Sequence, residues 1–280
     1  MRLNRFIIPG LCVAVLFGCG KDTTAVDTPP PNATVRYINA LNDTGSVDIA
    51  MIDQTQWSAY AKPLAFRAGS AYQVVDATHP RHIRVFPTST NAAVTSQIID
   101  DETLTFTPGT RVTLLLTGSA RANTAHFVAI SDDIAPPPAG QIAIRAVNAS
   151  TGAIDAYVVP RTSTAITGAP TFTNVAPLTA SAYFARAVIP SNATGAATDT
   201  VAVRATPAGT TTVAASAQGP AAPASPPGDV FAAAGVNSQY TKFSVYFFPA
   251  GVPGSPQNAV ANPSLVWFAD RNPCDAGITC

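Results

Sequence analysis

One short sequence pattern occurs twice in this chain and constrains its fold more than any other feature. Residues 35–40 read VRYINA and lead through a polar turn to VDI at 47–49; residues 144–149 read IRAVNA and lead to IDA at 154–156. Apolar residues alternate with an arginine in both copies, which is the period of a β-strand. The asparagine ending each run suits a turn, because its side chain can bond nearby backbone. Each copy predicts a strand, a turn and a second strand, and we interpret each as the opening of a domain.

The composition indicates an all-β protein. Only 11% of the 280 residues are charged, whereas about a quarter are charged in a typical soluble protein. Short runs of β-branched residues are separated by 25 prolines and 18 glycines, which is typical of many short strands joined by turns. The length suffices for two ordinary domains, in agreement with the repeat.

The order of arginine, Asn-Ala, turn and apolar-Asp-apolar resembles the opening of a bacterial family called domain of unknown function 4397. Members of that family begin with a similar strand, are often tandem and exported, and are β-sandwich-like. The resemblance covers residues 33 to 270. It implies two tandem antiparallel β-sandwich domains of the Ig-like, Greek-key type. The family has no established activity, so the resemblance implies fold and location but no chemistry.

A proline-rich stretch divides the two copies. PPPAG at residues 136–140 predicts a linker at 135–140, because such a composition forms stiff connections between domains. The first domain is then predicted at 33–134 and the second at 141–280.

Strand predictions within the domains follow from the apolar runs. Run 112–116 is apolar at four of its five positions and includes three consecutive leucines, so we expect a strand buried on both faces. The turn Pro108-Gly109 precedes it, and Pro227-Gly228 before residues 229–231 is interpreted as the matching turn of the second domain. Further strands are predicted at 95–100 and 103–107. A longer connection is expected to cap the first core with three aromatic side chains, those of Trp57, Tyr60 and Phe66.

The N-terminus predicts export and lipid anchoring. Arg2 and Arg5 precede an apolar run too short to span a bilayer permanently, so residues 1–18 form a signal peptide. The run ends in Leu16-Phe17-Gly18-Cys19, which resembles a bacterial lipobox. Cys19 is then the lipid-bearing first residue of the mature chain and anchors it to a membrane. The alternative is an ordinary signal peptide cleaved elsewhere.

The residues after the lipobox indicate the destination of the chain. Gly20 follows Cys19, which resembles the sorting signal for the outer membrane of Gram-negative bacteria. Residues 19–32 are polar and end in three prolines, so they predict a lipidated tether rather than part of a core. We therefore expect a cell-envelope lipoprotein on the periplasmic or the surface-exposed face of the outer membrane.

The two remaining cysteines, Cys274 and Cys280, lie at the C-terminus of a chain predicted to be exported. A disulfide between them is the natural interpretation in an oxidising compartment. Half of a metal site is the alternative, but the sequence offers no further ligands beside them.

Other polar residues could bind a metal but fit a structural role better. His79 and His82 could share a metal or form an exposed polar corner, and we favour the corner. The acidic clusters 100–102 and 132–133 could bind calcium, but we interpret them as solvated turns. Asp48 and Asp155 occupy equivalent positions in the two copies and are interpreted as structural residues that bond backbone beside a turn. No metal or cofactor is therefore predicted.

Charge and motifs exclude some functions and leave two. Removal of Arg2 and Arg5 with the signal leaves 14 basic and 16 acidic residues, without the basic patch that nucleic acids require. No hydrolase, metalloprotease, phosphate-binding or dinucleotide-binding motif occurs. The leading hypothesis is a non-catalytic binding, adhesion or structural module with a glycan or an envelope protein as partner. The alternative is an envelope-polymer hydrolase whose site is built from loops at the ends of a sandwich.

Overall fold

The computed structural model describes residues 31–53, 60–133, 135–163, 165–188, 201–220 and 235–273. Within these residues the protein is all-β, with sixteen strands in four four-stranded sheets and one short helix. No helix in these ranges is long and apolar enough to span a membrane. The predicted fold class is confirmed at the level of an all-β protein.

Eight strands and the helix form the N-terminal half. They are β1 (Asn32–Asn39), β2 (Val47–Met51), β3 (Tyr60–Leu64), β4 (Gln73–Asp76), β5 (Arg81–Pro87), α1 (Ala92–Thr95), β6 (Asp100–Leu104), β7 (Arg111–Thr117) and β8 (His126–Asp132). One sheet has the order β4-β1-β7-β8 and the other β3-β2-β5-β6. All strand pairs are antiparallel except β1 with β7. The two sheets enclose an apolar core.

Eight further strands form the C-terminal half. They are β9 (Gln141–Asn148), β10 (Ile154–Pro160), β11 (Phe172–Val175), β12 (Phe184–Ala187), β13 (Val201–Pro207), β14 (Ala215–Gln218), β15 (Lys242–Phe248) and β16 (Ser264–Arg271). The sheet orders are β12-β9-β15-β16 and β11-β10-β13-β14, and β9 pairs with β15 in parallel. Position by position, this is the order of the N-terminal half. The repeated stretch of the sequence supplies the first two strands of each half.

The first strand of each half is buried on both faces, which explains its composition. On β1, Val35 and Tyr37 lie in the core between the two sheets, and Ile38 lies on the opposite face in a separate apolar cluster. Arg36 is only 2% exposed although it is charged. Strand β7 is buried in the same way from Thr113 onward, which confirms the prediction of a strand covered on both sides.

The least regular part of the N-terminal half differs from the prediction. Residues 92–95 form α1, whose first turn is capped by the side chain of Asn91, and the next strand begins only at Asp100. The predicted strand at 95–100 is therefore wrong, and β6 already ends at Leu104. An asparagine at this position favours the start of a helix over a strand. In the sequence, the apolar residues that follow Asn91 indicate a strand instead.

The predicted connection that caps the first core contains a strand instead. Tyr60–Leu64 is β3, an edge strand, which is where a proline such as Pro63 is tolerated. Tyr60 is 57% exposed, so it caps no core. Phe66 packs on the apolar cluster at the opposite face of β1. Trp57 lies outside the described residues.

Pro227-Gly228 lies outside the described residues, and the proposed match between the two Pro-Gly turns is wrong because the strand equivalent to β7 begins only at Lys242. Strand β15, at Lys242–Phe248, takes the place of β7 beside the first strand. The turn before β7 has Gly109 at φ +76°, and the turn before β15 has Tyr240 at φ +66°. Both residues donate their N–H to the first residue of the first strand, Asn32 or Gln141. Backbone geometry recurs here without sequence identity, since a tyrosine adopts a conformation that favours glycine.

Candidate functional site

The two halves pack against each other through the outer faces of two sheets. The face built by β1, β7 and β8 meets the face built by β9, β15 and β16. The buried apolar residues of this interface are Ile38, Ala40, Leu115, Ile130, Val147, Ala149, Tyr246 and Phe248. Polar side chains lie beside this apolar patch, and their arrangement is the most unusual feature of the described residues.

Arg36 of the N-terminal half extends into the C-terminal half. Its Nε donates to Thr113 Oγ1 at 2.8 Å, on the neighbouring strand β7. Its Nη1 donates to the carbonyl oxygen of Ala269 at 2.8 Å, and its Nη2 pairs with the carboxylate of Asp270. The Arg36 and Asp270 side chains are 3% and 0% exposed, so this is a buried ion pair between the halves.

Arg145 of the C-terminal half makes the same contacts in the opposite direction. Its Nε donates to Ser244 Oγ at 2.7 Å, and its Nη1 donates to the carbonyl oxygen of Ser131 at 2.8 Å. Its Nη2 pairs with the carboxylate of Asp132, and the two side chains are 4% and 0% exposed. The halves therefore exchange arginines about an approximate two-fold axis.

Each carboxylate is also held by its own half. Asp132 accepts hydrogen bonds from Tyr72 Oη at 2.8 Å and from Thr113 Oγ1 at 2.6 Å. Asp270 accepts the equivalent bonds from Tyr183 at 2.7 Å and from Ser244 at 2.6 Å. We call the eight residues the interface cluster: Arg36, Tyr72, Thr113, Asp132, Arg145, Tyr183, Ser244 and Asp270.

Two cations lie over each tyrosine ring of the interface cluster. The guanidinium carbons of Arg36 and Arg111 are 4.6 and 4.7 Å from the ring centroid of Tyr72. Over Tyr183, the guanidinium carbon of Arg145 lies at 4.7 Å and Lys242 Nζ at 4.5 Å. Cations at this distance are attracted by the face of an aromatic ring, more strongly where water is excluded.

The outer pair of cations also crosses the interface. Arg111 donates to the carbonyl oxygen of Asp270 at 2.6 Å, and Lys242 Nζ lies 2.6 Å from the carboxylate of Asp133. Arg111 and Lys242 are the first residues of the equivalent strands β7 and β15. The reciprocal pattern therefore extends beyond the eight residues.

Burial and charge fix the protonation of four members of the cluster. Burial opposes the charge of Arg36, but electrostatic interactions with Tyr72, Asp270 and Asp132 outweigh it and raise the arginine pKa well above its ordinary value. The pKa of Arg145 is also raised, because its acidic neighbours outweigh burial. Burial raises the pKa of Tyr72 and of Tyr183 well above the ordinary 10.0. The arginines stay charged and the tyrosines neutral around neutral pH.

A second contact between the halves comes from the loop that joins β15 to β16, residues 249–263. The Asn42 side chain donates to the carbonyl oxygen of Ala250 at 2.7 Å, and Val252 donates its N–H to Asn42 at 2.9 Å. Gln257 Nε2 donates to the carbonyl oxygen of Thr44 at 2.7 Å. This loop spans the turn between β1 and β2, so the halves contact each other at two separated places.

The structure places some predicted polar residues in new surroundings. The interpretation of Asp132 as part of a solvated turn is wrong, because Asp132 is 4% exposed and belongs to the interface cluster. Its partner Arg145 comes from the other half, so adjacency in sequence could not reveal it. Asp155 bonds backbone as expected, accepting from the N–H of Asn174 and Gly209, while Asp48 accepts from the hydroxyl of Thr88.

The histidines and the first acidic cluster lie apart from the interface cluster. His82 and Arg84 both contact Asp101 on the neighbouring strand β6, and His79 lies in an exposed turn. The ring of His126 lies 3.0 Å from the carbonyl oxygen of Thr124. Within the described ranges, no group of three or more His, Cys, Asp or Glu could hold a metal ion. Cys19, Cys274 and Cys280 lie outside those ranges.

Sequence reasoning missed most of the interface cluster, although one signal was present. Ser-Ala-Tyr occurs at residues 70–72 and again at 181–183. In both copies the serine hydroxyl accepts from a backbone N–H of the first strand, that of Tyr37 or Ala146. The tyrosine two residues later then reaches the carboxylate.

Comparison with known proteins supports the resemblance drawn from the sequence. Residues 33–157 match the family model described as domain of unknown function (DUF4397). The match runs from β1 to the first half of β10, and so includes both copies of the repeated stretch. A search of curated proteins found no significant match.

We predict that two tyrosines of the interface respond in opposite ways to loss of their hydroxyl. Tyr72→Phe removes a donor to a buried carboxylate and should lower the free energy of unfolding by about 2 kcal/mol. The hydroxyl of Tyr246 is buried without a hydrogen-bond partner, so Tyr246→Phe should leave stability unchanged or raise it. Urea unfolding of both variants measures the difference, and equal losses would contradict the assigned role of Tyr72.

We predict a pH dependence of stability from Asp100 on β6. Burial, then the charge of Glu102, raises the pKa of Asp100 from 3.8 to about 6. The native state therefore holds this proton more tightly than the unfolded chain, and stability falls as the pH rises between these two values.

Asp100→Asn should remove this fall and be more stable than the wild type above about pH 6. Urea unfolding at several pH values measures it. Asp101→Asn is the matched control. Hydrogen bonds from His82 and Arg84 lower the pKa of Asp101, so the contribution of Asp101 to stability rises with pH, whereas that of Asp100 falls. A wild-type curve that is flat through this window would contradict the prediction.

Proposed function

We propose that this protein is a non-catalytic binding, adhesion or structural module, built from two tandem antiparallel β-sandwich domains of the Ig-like, Greek-key type. Each domain is a copy of the DUF4397 domain. The reciprocal interface cluster carries the proposal, because it fixes the two copies in one orientation. A pair of domains held in this way suits a rigid spacer or an extended binding surface better than a cleft that opens and closes.

The chemistry of the cluster supports this role. Removing a carboxylate or a guanidinium from water costs several kcal/mol, and the pair regains this only when further hydrogen bonds satisfy it. In this chain Arg36 and Arg145 each make two further hydrogen bonds. Their protonation is fixed and each pairs with a carboxylate of the other half, so their role is orientation. Buried polar or ionic groups specify the register of association in some proteins.

We further propose that the module is anchored in the outer membrane through lipid on Cys19, with residues 19–32 as a tether. The signal-like N-terminus, the lipobox-like sequence and Gly20 support this location. A disulfide between Cys274 and Cys280 would close a small loop after β16. The partners expected there are the membrane itself and a glycan or an envelope protein.

The proposed function is tested by two assays on one sample of the chain from residue 20 onward. A broad hydrolase and glycan-cleavage screen should show no turnover, while an array of glycans and envelope proteins should show saturable binding. Turnover lost on replacing one carboxylate or histidine by alanine would overturn the non-catalytic proposal in favour of an envelope-polymer hydrolase.

We predict that the halves stay together after the linker is cut. A protease site inserted between Ala135 and Pro136 allows cleavage of the folded protein, and both pieces should elute together in size-exclusion chromatography. Asp270→Asn leaves Arg36 buried without its charge partner, which costs about 3–5 kcal/mol and should weaken association by about a hundredfold or more.

Asp101→Asn is the control for this experiment, because its ion pair with Arg84 lies at the surface, with side chains 34% and 35% exposed. It should leave the cleaved halves associated. Separation of the wild-type halves at micromolar concentration would show that the interface does not hold the domains by itself.

We predict that Cys19→Ala leaves the protein without lipid and moves it from the membrane fraction to the soluble fraction. Loss of acyl chains removes about 0.8 kcal/mol of membrane affinity per buried CH₂. Mass spectrometry of the N-terminal peptide and membrane fractionation measure both effects, with Cys274→Ala as the control. A Cys19→Ala variant that stays fully in the membrane would exclude anchoring through this residue.

A further inference from the structure

The two halves differ at one sheet edge, and their shared strand register identifies the equivalent residues there. Ala129 on β8 lies opposite Leu114 of the neighbouring strand, and Trp267 on β16 lies opposite Val245. Each is three residues before the carboxylate of the interface cluster, Asp132 or Asp270. Alanine in the N-terminal half therefore occupies the place that tryptophan occupies in the C-terminal half.

Trp267 fills the edge of its own sandwich. Its ring lies 5.6 Å from that of Phe243 in an edge-to-face arrangement and packs against the core of the C-terminal half. Strands β16 and β14, the edge strands of the two sheets, lie close together there. The aromatic pair thus closes the gap between the sheets at this edge.

The equivalent edge of the N-terminal half is open. Val112 stands where the C-terminal half has Phe243, and Ala129 is exposed. The largest ring of this core, that of Tyr37, takes the place of Ala146 on the central strand and contacts Phe127. The N-terminal half therefore has its largest aromatic ring at the centre of the core and a groove at its edge.

The groove has a volume of about 230 Å³. Its apolar walls are Leu104, Phe106, Val112 and Leu114, and none of its lining residues is charged. Ser131 and three threonine residues add hydroxyl groups. For comparison, an apolar protein cavity of about 150 Å³ is large enough to bind benzene.

We propose that this groove is a binding site for a neutral, flat, bicyclic aromatic molecule of the size of indole. The C-terminal half shows what such a space accommodates, because it holds an indole ring at the equivalent position. The volume admits two fused rings, the uncharged walls disfavour an ionised ligand, and the hydroxyl groups can accept a ring N–H. The site requires neither the lipid anchor nor the interface cluster, so it is independent of the proposed function.

Indole itself is the probe, titrated into the chain from residue 20 onward. We expect saturable binding of one indole per chain by calorimetry, with the largest methyl NMR shifts at Leu104, Val112 and Leu114. Indole-3-acetate should bind at least about tenfold more weakly, because its carboxylate would lose water in an apolar groove.

Two reciprocal variants locate the site. Ala129→Trp transfers the tryptophan of the C-terminal half into the groove, so it should raise the melting temperature and weaken indole binding by at least about tenfold. Trp267→Ala should open an equivalent groove and raise the stoichiometry to two indoles per chain. The higher melting temperature of Ala129→Trp would report that the tryptophan fills the groove, independently of any ligand.

Absence of saturable indole binding to the wild type at millimolar concentration would overturn the proposal. Equal affinity in a folded Ala129→Trp variant would also overturn it, because the ligand would then occupy another place. If either variant fails to fold, the wild-type methyl shifts decide. Shifts confined to the groove support the site, and shifts elsewhere contradict it.

Discussion

The rest of this structure depends on the exchange of two arginines between two halves of one chain. Each half contributes one guanidinium and one carboxylate, and each guanidinium makes its shortest ion pair with the carboxylate of the other half. Arg36 reaches Asp270, and Arg145 reaches Asp132. A buried charge without a partner is among the most costly features a fold can contain. The two halves therefore stabilise each other through groups that would destabilise either one alone.

This arrangement also explains why apolar and ionic contacts lie side by side. The apolar patch around Ile38 and Val147 removes surface from water without specifying direction, since the hydrophobic effect is non-directional. The arginines add direction, because a planar guanidinium matches its acceptors in one geometry only. Hydroxyl groups from Thr113 and Ser244 bridge arginine and carboxylate within each half. Sheet packing brings the halves together, and the ionic network selects the orientation.

The sequence predicted the all-β class, the two opening strands and the strand buried on both faces, because these depend on local alternation and on continuous apolar runs. It did not predict the roles of Arg36 and Asp132, because their partners belong to the other half. The partner of Arg36 lies 234 residues away in the sequence, and the partner of Asp132 lies 13 residues away, beyond the linker. A solvated turn and a buried carboxylate look alike in a single sequence. The same limit concealed β3, where Lys62 and Pro63 lie on an edge strand, and the turn at Tyr240, whose backbone matches that of Gly109.

Reciprocity also accounts for where the two copies resemble each other. A change at Arg36 would leave Asp270 without its partner in the other half, so such a residue can change only together with its partner. Residues at a sheet edge carry no such constraint, because Ala129 and Trp267 face only their own half. The repeat is accordingly visible at the arginines and at Ser-Ala-Tyr, and lost at the edge. A difference at such an edge can therefore give one half a property, such as an open groove, that the other half lacks.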